Sequence, residues 1–370
     1  MKVLITGANG FVGKNLQVRL TEEKIEFDTF TRNDTDLENK VIRCDFIVHL
    51  AGVNRPDNES EFFAGNTDLT KLIVSILEKN NRKTSIIYSS SIQAERDNPY
   101  GLSKKYAEDA LSNYSNQSEA LVCNYRLPNI FGKWCKPNYN SVVATFCHNT
   151  INDLPIQINK PSALISLVYI DNVVNEFISV IKATRESDNL SSADNFEVKP
   201  VYQIAVGALA EQLKSFKESK NSHIVERVGT DLTRALYSTY ISYFRPENFS
   251  YSLVKHEDPR GTFVEMLKTK DSGQFSFFSA HPGITRGGHY HHSKSEKFLV
   301  VKGKARFGFR QIATDEYYEL LTSGDEPQVV ETVPGWSHDI TNVGDDEMYV
   351  MLWANEIFDP ENPDTVYHKV

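Results

Sequence analysis

The octapeptide Thr6-Gly7-Ala8-Asn9-Gly10-Phe11-Val12-Gly13 constrains this chain most. It spaces three glycines as G-x-x-G-x-x-G between the apolar run Lys2-Val-Leu-Ile-Thr6 and the helical run Lys14–Leu20. Strand, tight glycine turn and helix in that order open a βαβ unit whose backbone N–H groups can approach a pyrophosphate at the helix N-terminus. Glu26–Phe30, Phe46–Leu50, Ser85–Tyr88 and Leu121–Tyr125 read as further strands alternating with helical stretches. That rhythm predicts an α/β, Rossmann-type, doubly wound parallel sheet. The helical segments Leu209–Lys220 and Asp231–Phe244 complete this first domain, expected at residues 1–245.

The pattern breaks at Phe244-Arg-Pro-Glu-Asn-Phe-Ser250. Beyond it, Gly273–Ala280, Glu296–Val301, Lys304–Gln311, Pro327–Val333 and Met348–Trp353 are β-rich runs separated by Gly, Asp and Asn turns. They predict an all-β barrel domain at 251–370. A length of 370 residues suits two domains. The net charge of −9 argues against nucleic acid or an anionic membrane as a partner. Nowhere do roughly 18 apolar residues run together, so no spanning helix is expected. Cys44, Cys123, Cys135 and Cys147 form no Cys-x-x-Cys pair, which favours a reducing cytoplasm over a disulfide scaffold.

After the second strand an NAD-selective site usually carries an acid for the ribose 2′-hydroxyl; here Thr31 and Arg32 follow. A guanidinium can hold the 2′-phosphate of NADP, so Arg32 predicts NADPH over NADH. Pro99-Tyr100-Gly101-Leu102-Ser103-Lys104 opens a helical segment and sets Tyr100 and Lys104 one turn apart. A phenol is a poor proton donor–acceptor at neutral pH unless a nearby ammonium stabilises its phenolate, and Lys104 is expected to supply that charge. Ser91, at the end of Ser89-Ser90-Ser91, is the hydroxyl expected to steady the carbonyl oxygen that receives the tyrosine proton.

Several of these motifs together resemble the extended short-chain dehydrogenase/reductases that act on nucleotide sugars. They are the loop Gly7, Gly10 and Gly13, the strand end His49-Leu50-Ala51-Gly52, Asn66, the serine run, the Tyr100/Lys104 pair, Arg126-Leu-Pro-Asn129 and Val168-Tyr-Ile-Asp171. The resemblance implies that Leu50, Ala51 and Gly52 line the cofactor and that Asn129 lies near nicotinamide and substrate.

In the second domain, Gly283-x5-His289-x-His291-x4-Glu296-x6-Gly303, followed by Pro334-Gly335-x2-His338-x3-Asn342, resembles the cupin barrel signature, a jelly roll. His289 and His291 are expected on one face of one strand, joined by Glu296 and His338 from others. Three imidazoles and a carboxylate suit a borderline divalent ion such as zinc, with iron, nickel or manganese open. A second resemblance cuts across this. Asp258-Pro-Arg-Gly-Thr-Phe-Val-Glu265 and Arg286-Gly-Gly-His-Tyr290 are similar to deoxysugar-nucleotide 3,5-epimerases, which implies sugar contacts from Arg260, Phe263, Glu265 and Arg286 and a base role for His289. Ligand and base both stay open for His289, with ligand favoured because the set is complete.

Over essentially the whole chain, this order of halves resembles the bifunctional capsule-biosynthesis enzymes that form UDP-2-acetamido-2,6-dideoxy-β-L-talose. The resemblance implies NADPH, zinc, a UDP-linked 4-keto deoxysugar and a homodimer. Two other readings are an NADP-sensing regulatory protein with a sugar-binding barrel and a reductase for a dTDP-linked 4-keto sugar. A metal-dependent oxygenase fused to a dehydrogenase is a third.

Overall fold

The computed structural model describes residues 1–186, 191, 196–248 and 250–370; Phe249, inside the expected break, lies outside them. The chain forms two compact units, Met1–Leu213 with Ala235–Tyr243, and Lys214–Arg234 with Phe244–Val370. The segment Lys214–Arg234 thus belongs with the second unit, where composition suggests a single boundary between 245 and 251.

In the first unit, strands β1 (Lys2–Thr6), β2 (Glu26–Phe30), β3 (Phe46–His49), β4 (Ser85–Ser91) and β5 (Val122–Leu127) form a parallel sheet in the order β2-β1-β3-β4-β5. Alternate residues of one strand enter different cores. Val3, Ile5, Phe46, Val48 and Ile87 pack on one face, and Leu4, Ile47, Ile86 and Tyr88 on the other. Burial on both faces explains why these strands read as unbroken apolar runs. The order reverses at β1/β3, so the crevice for a ligand opens at their carboxyl ends, beside Gly7 and Leu50. A smaller sheet of β6 (Asn129–Phe131), β7 (Leu164–Tyr169) and β8 (Tyr202–Ala205) completes the unit.

The helix Pro99–Ser118 carries the expected tyrosine and lysine. Its start is well specified: Asn98 accepts a hydrogen bond from Gly101 N at 2.9 Å and proline occupies the first turn. Glu119, in the left-handed conformation at φ 60°, ends it.

The second unit begins with β9 (Ile224–Val225) and continues with β10 (Lys255–Asp258), β11 (Gly261–Thr269), β12 (Gly273–Ala280), β13 (Thr285–Tyr290) and β14 (Glu296–Lys302). The remaining strands are β15 (Lys304–Gln311), β16 (Tyr317–Ser323), β17 (Val329–Glu331), β18 (Trp336–Asn342), β19 (Met348–Ala354) and β20 (Val366–Tyr367). One sheet runs β10-β11-β12-β19-β14-β17, with β9 added on β11; the other runs β16-β15-β18-β13-β20. Phe278, Phe298, Val300, Phe307, Ile340, Met348 and Val350 fill the space between them, the inward half of each strand's alternation. The expected architecture, a Rossmann-type parallel sheet followed by a β-rich domain, is the one observed. No helix among the described residues is long and apolar enough to cross a membrane.

Candidate active sites

The glycine loop meets the switch point closely. Gly7 has φ +69°, and a Cβ there would lie 2.6 Å from Ala51 N. A Cβ on Gly13 would lie 2.6 Å from Gly7 O and 2.7 Å from Ala8 O. The helix Phe11–Glu22 starts at Gly10 with no side-chain cap, so its first N–H groups face the loop Ala8–Val12. Arg32 is exposed just after β2. The neighbouring Asp34 is turned away into its own turn, accepting from Thr31 N at 2.7 Å and lying 3.5 Å from Lys40 Nζ.

Behind the loop runs a buried hydrogen-bond chain that sequence motifs do not reveal. Thr70 Oγ1 donates to Asn66 O at 2.6 Å, so its 2.9 Å contact with His49 Nε2 requires that nitrogen to donate. His49 Nδ1 then accepts from Thr6 Oγ1 at 2.6 Å, and Thr6 Oγ1 accepts from Ala51 N at 3.2 Å. Burial, with the charge of Lys104, pushes the His49 pKa down to about 3, which keeps this relay neutral. Asn66 sits in a π-helical stretch, Phe63–Asp68, where its side chain bridges Val53 N, Val53 O and Ser103 Oγ. The loop, the end of β3 and the Tyr100 helix are thereby held in one network.

Tyr100 and Ser91 come together as expected: burial raises the tyrosine pKa, and the nearby Ser91 hydroxyl opposes that rise. Lys104 Nζ donates to Ser89 O at 3.0 Å and lies 4.9 Å from the Tyr88 ring centre. The lysine also faces Gly52, where a Cβ would lie 3.2 Å from Nζ. Burial lowers the Lys104 pKa to about 8, opposed by Glu108 one helical turn on.

Glu108 itself is buried and was not marked by any motif. Ser90 Oγ donates to it, and Arg126 donates from Nε at 3.1 Å and from Nη2 at 2.7 Å. Asn129, at the start of β6, donates from Nδ2 to Ser166 O at 3.1 Å.

In the second unit His289, His291, Glu296 and His338 offer ligand atoms that all lie within 4.8 Å of one another. His289 on β13 faces His338 on β18 across the five-stranded sheet, and Glu296 opens β14 in the opposite sheet. His291 lies past the end of β13, so the expected pairing of two histidines on one strand is corrected: the second stands on the following loop. The donor set fits a cation. The Asp364 carbonyl can only accept, so His291 Nδ1 carries a proton, and in the neutral ring the Nε2 lone pair then faces Glu296 Oε2 at 3.2 Å. Two acceptors at that distance repel unless positive charge lies between them, and about 3.3 Å is the span of two ligands on one tetrahedral zinc. Both ring nitrogens of buried His338 also lack a hydrogen-bond partner. Burial, and then the neighbouring His338, lower the His289 pKa to about 4, leaving a neutral imidazole. Lys294 Nζ pairs with the other carboxylate oxygen, Glu296 Oε1, at 3.1 Å.

These groups border a cavity of about 150 Å³ whose walls include Phe263, Phe278, Phe298, Arg286, His289 and His338. Arg286 is held by a 3.1 Å bond from Nε to Ser279 O, with its guanidinium 5.2 Å from the Phe278 ring centre. Of the four residues expected at the sugar, Phe263 and Arg286 line this cavity. Arg260 instead forks onto Asp258, with Nε at 3.1 Å from Oδ2. Glu265 ion-pairs with Lys268 at 2.9 Å and lies 3.5 Å from His223 Nδ1. The register shift in β11 directly after Glu265 interrupts the alternation on which the expectation for that residue depends.

The NAD dependent epimerase/dehydratase family matches residues 3–191, and the polysaccharide biosynthesis C-terminal domain matches 256–366. The chain is similar to UDP-2-acetamido-2,6-beta-L-arabino-hexul-4-ose reductase of Pseudomonas aeruginosa, at 58% identity over 99% of this chain and 98% of that protein. It is similar in structure to the capsular polysaccharide assembling protein CapF of Staphylococcus aureus, with a TM-score of 0.89 and 42% identity across 100% of both chains. UDP-glucuronic acid 4-epimerase of Bacillus cereus shares the fold alone, with a TM-score of 0.56 and 16% identity over 65% of this chain and 98% of that one. With a reductase relative matched from end to end, the chain belongs to the NAD dependent epimerase/dehydratase family, in the branch that joins it to a polysaccharide biosynthesis C-terminal domain.

Proposed function

We propose that the chain is a bifunctional nucleotide-sugar enzyme of capsule or O-antigen biosynthesis. The second unit epimerises C3 of a UDP-2-acetamido-2,6-dideoxy-4-hexulose, and the first reduces its C4 ketone to give UDP-2-acetamido-2,6-dideoxy-β-L-talose on the route to UDP-N-acetyl-L-fucosamine. The observation that carries this reading is the presence in one chain of Ser91, half-buried Tyr100 and buried Lys104 at one site and a four-ligand cluster bordering an apolar cavity at another. The reductase relative, named for a UDP-linked hexul-4-ose, supports the substrate class.

In the first unit, NADPH supplies the hydride that reduces C4. Tyr100 gives the proton to the C4 oxygen, and Ser91 donates a hydrogen bond to the same oxygen. Lys104, beside Gly52, orients the cofactor ribose and brings its charge toward Tyr100 only in the loaded site. Arg32, with Asp34 engaged by Thr31, is free to meet a 2′-phosphate. In the second unit His289, His291, Glu296 and His338 would hold a divalent ion, zinc foremost, which would supply Lewis acidity for loss of the C3 proton beside the C4 ketone. Arg286 pairs with the anionic part of the nucleotide sugar, and the phenylalanine walls pack against its sugar ring. Reduction at C4 removes the activating carbonyl, so the new C3 configuration is locked.

Tyr100→Phe separates the two steps. It should reduce NADPH oxidation at least a hundredfold and leave C3 proton exchange in place; loss of both, or of neither, contradicts the assignment.

A further inference from the structure

The C-terminal thirteen residues, Phe358–Val370, contain no metal-binding or catalytic motif, yet four of them, Asp364, Val366, Tyr367 and His368, bond to residues of the ligand cluster or their neighbours. Asp364 is the centre of this contact. Its Oδ1 accepts from His292 N at 2.8 Å, and its Oδ2 accepts from Ser293 N at 2.7 Å, Ser293 Oγ at 2.9 Å and Lys294 N at 2.8 Å. Three successive N–H groups converging on one anion form a nest, a geometry that fixes the loop between His291 and Glu296. The carbonyl of the same residue accepts the His291 Nδ1 proton and so selects the tautomer whose Nε2 faces Glu296.

The strap then continues along β13. Val366 and Tyr367 pair with Tyr290 and His289. His368 N donates to Gly288 O at 3.0 Å, and Ser337 Oγ, next to His338, donates to His368 O. One pentapeptide therefore touches the backbone or the ring beside His289, His291 and His338, and it reaches Glu296 through the loop that Asp364 clamps.

We infer that the strap Asp364–His368 is the positioning element of the metal centre, with Asp364 setting both the His291 tautomer and the path of the ligand loop. The inference rests on the reading that the four-residue cluster binds a divalent ion. Asp364 touches no metal and no substrate; it acts through His291 and the backbone of residues 292–294.

The test is zinc affinity of the full chain, measured by competition with a chromogenic chelator, for wild type, Asp364→Asn and Ser293→Ala. NADPH affinity and the melting temperature of the metal-stripped protein are recorded for each. Asp364→Asn keeps the side-chain volume but replaces one acceptor by a donor, so zinc binding should weaken 10- to 100-fold. Ser293→Ala, which removes a single hydroxyl donor, should weaken it by a smaller factor. In the cobalt-substituted protein, the Asp364→Asn ligand-field spectrum should change shape because the loop between His291 and Glu296 is no longer clamped. NADPH affinity and the metal-free melting temperature should stay at wild-type values. Zinc affinity within twofold of wild type for Asp364→Asn overturns the inference while leaving the metal reading intact. A loss of affinity that only follows a lowered metal-free melting temperature also overturns it, since that is a folding effect. Failure of the wild type to bind zinc or cobalt overturns the metal reading and the inference with it.

Discussion

Gly13→Ala is the substitution whose effect on cofactor binding the structure sizes most directly. Its Cβ would lie 2.6 Å from Gly7 O, 2.7 Å from Ala8 O and 2.8 Å from Ala8 Cα, all backbone atoms. Those atoms cannot rotate aside, because Gly10 N donates to Gly7 O at 2.9 Å and Gln17 Nε2 donates to Ala8 O at 2.7 Å. Ordinary contact needs about 3.5 Å, so helix Phe11–Glu22 and the loop must separate by something near 0.5–1 Å. Overpacking of this kind costs about 1–3 kcal/mol. If the strain is relieved by moving the N–H groups that receive the pyrophosphate, NADPH affinity falls by roughly 5- to 150-fold. The assay is NADPH fluorescence titration, with Gly229→Ala as control, since a Cβ there meets nothing within 4 Å. Zinc content should not change. A dissociation constant for Gly13→Ala within twofold of wild type would refute the placement of the pyrophosphate at this loop.

Lys104, with its pKa lowered to about 8 by burial, is cationic below that value and loses its charge above it. The reduction rate should therefore decline as pH rises through about 8 in the free enzyme, and a kcat/KM profile flat to pH 9.5 would contradict a role for the ammonium. Arg126→Met leaves the buried carboxylate of Glu108 with Ser90 as its remaining side-chain donor. Because Arg126 is 38% exposed, solvent moderates the loss, and roughly 1–3 kcal/mol of stability should disappear in denaturant unfolding; an unchanged midpoint would show the pair to be inert. Arg32→Ser should raise KM for NADPH about tenfold and leave that for NADH nearly unchanged; equal effects on both would assign Arg32 to solvent.

How much of this was legible before folding depends on how local the signal is. The glycine loop, the parallel strands and the Tyr100 helix are each encoded in fewer than about 20 consecutive residues, and the structure places them where those patterns point. The ligand cluster was legible for a different reason: four ligand-type residues in an otherwise apolar barrel pattern are chemically conspicuous even though they come from separate strands. What escaped is long-range. Glu108 looks like any helix-surface acid until Arg126 on β5 folds against it. Asp364 lies 72 residues from the N–H of His292 that it accepts from, within a Pro- and Asp-rich tail without period-2 alternation. Motif similarity implies sugar contacts from Glu265 and Arg260, but the ion pairs they form with Lys268 and Asp258, away from the cavity lining, are turn- or bulge-dependent features that the motif does not carry. The partners of the Lys104 ammonium are equally non-local, since Ser89 O and the face of Tyr88 come to it from β4.

The most direct test of the central claim is proton NMR of the product formed from UDP-2-acetamido-2,6-dideoxy-4-hexulose and NADPH by the zinc-loaded protein in deuterated water. The two-site account predicts a C4-reduced sugar of inverted C3 configuration carrying deuterium at C3. A C4-reduced product with protium and the original configuration at C3 would contradict it, confining the chemistry to the first unit.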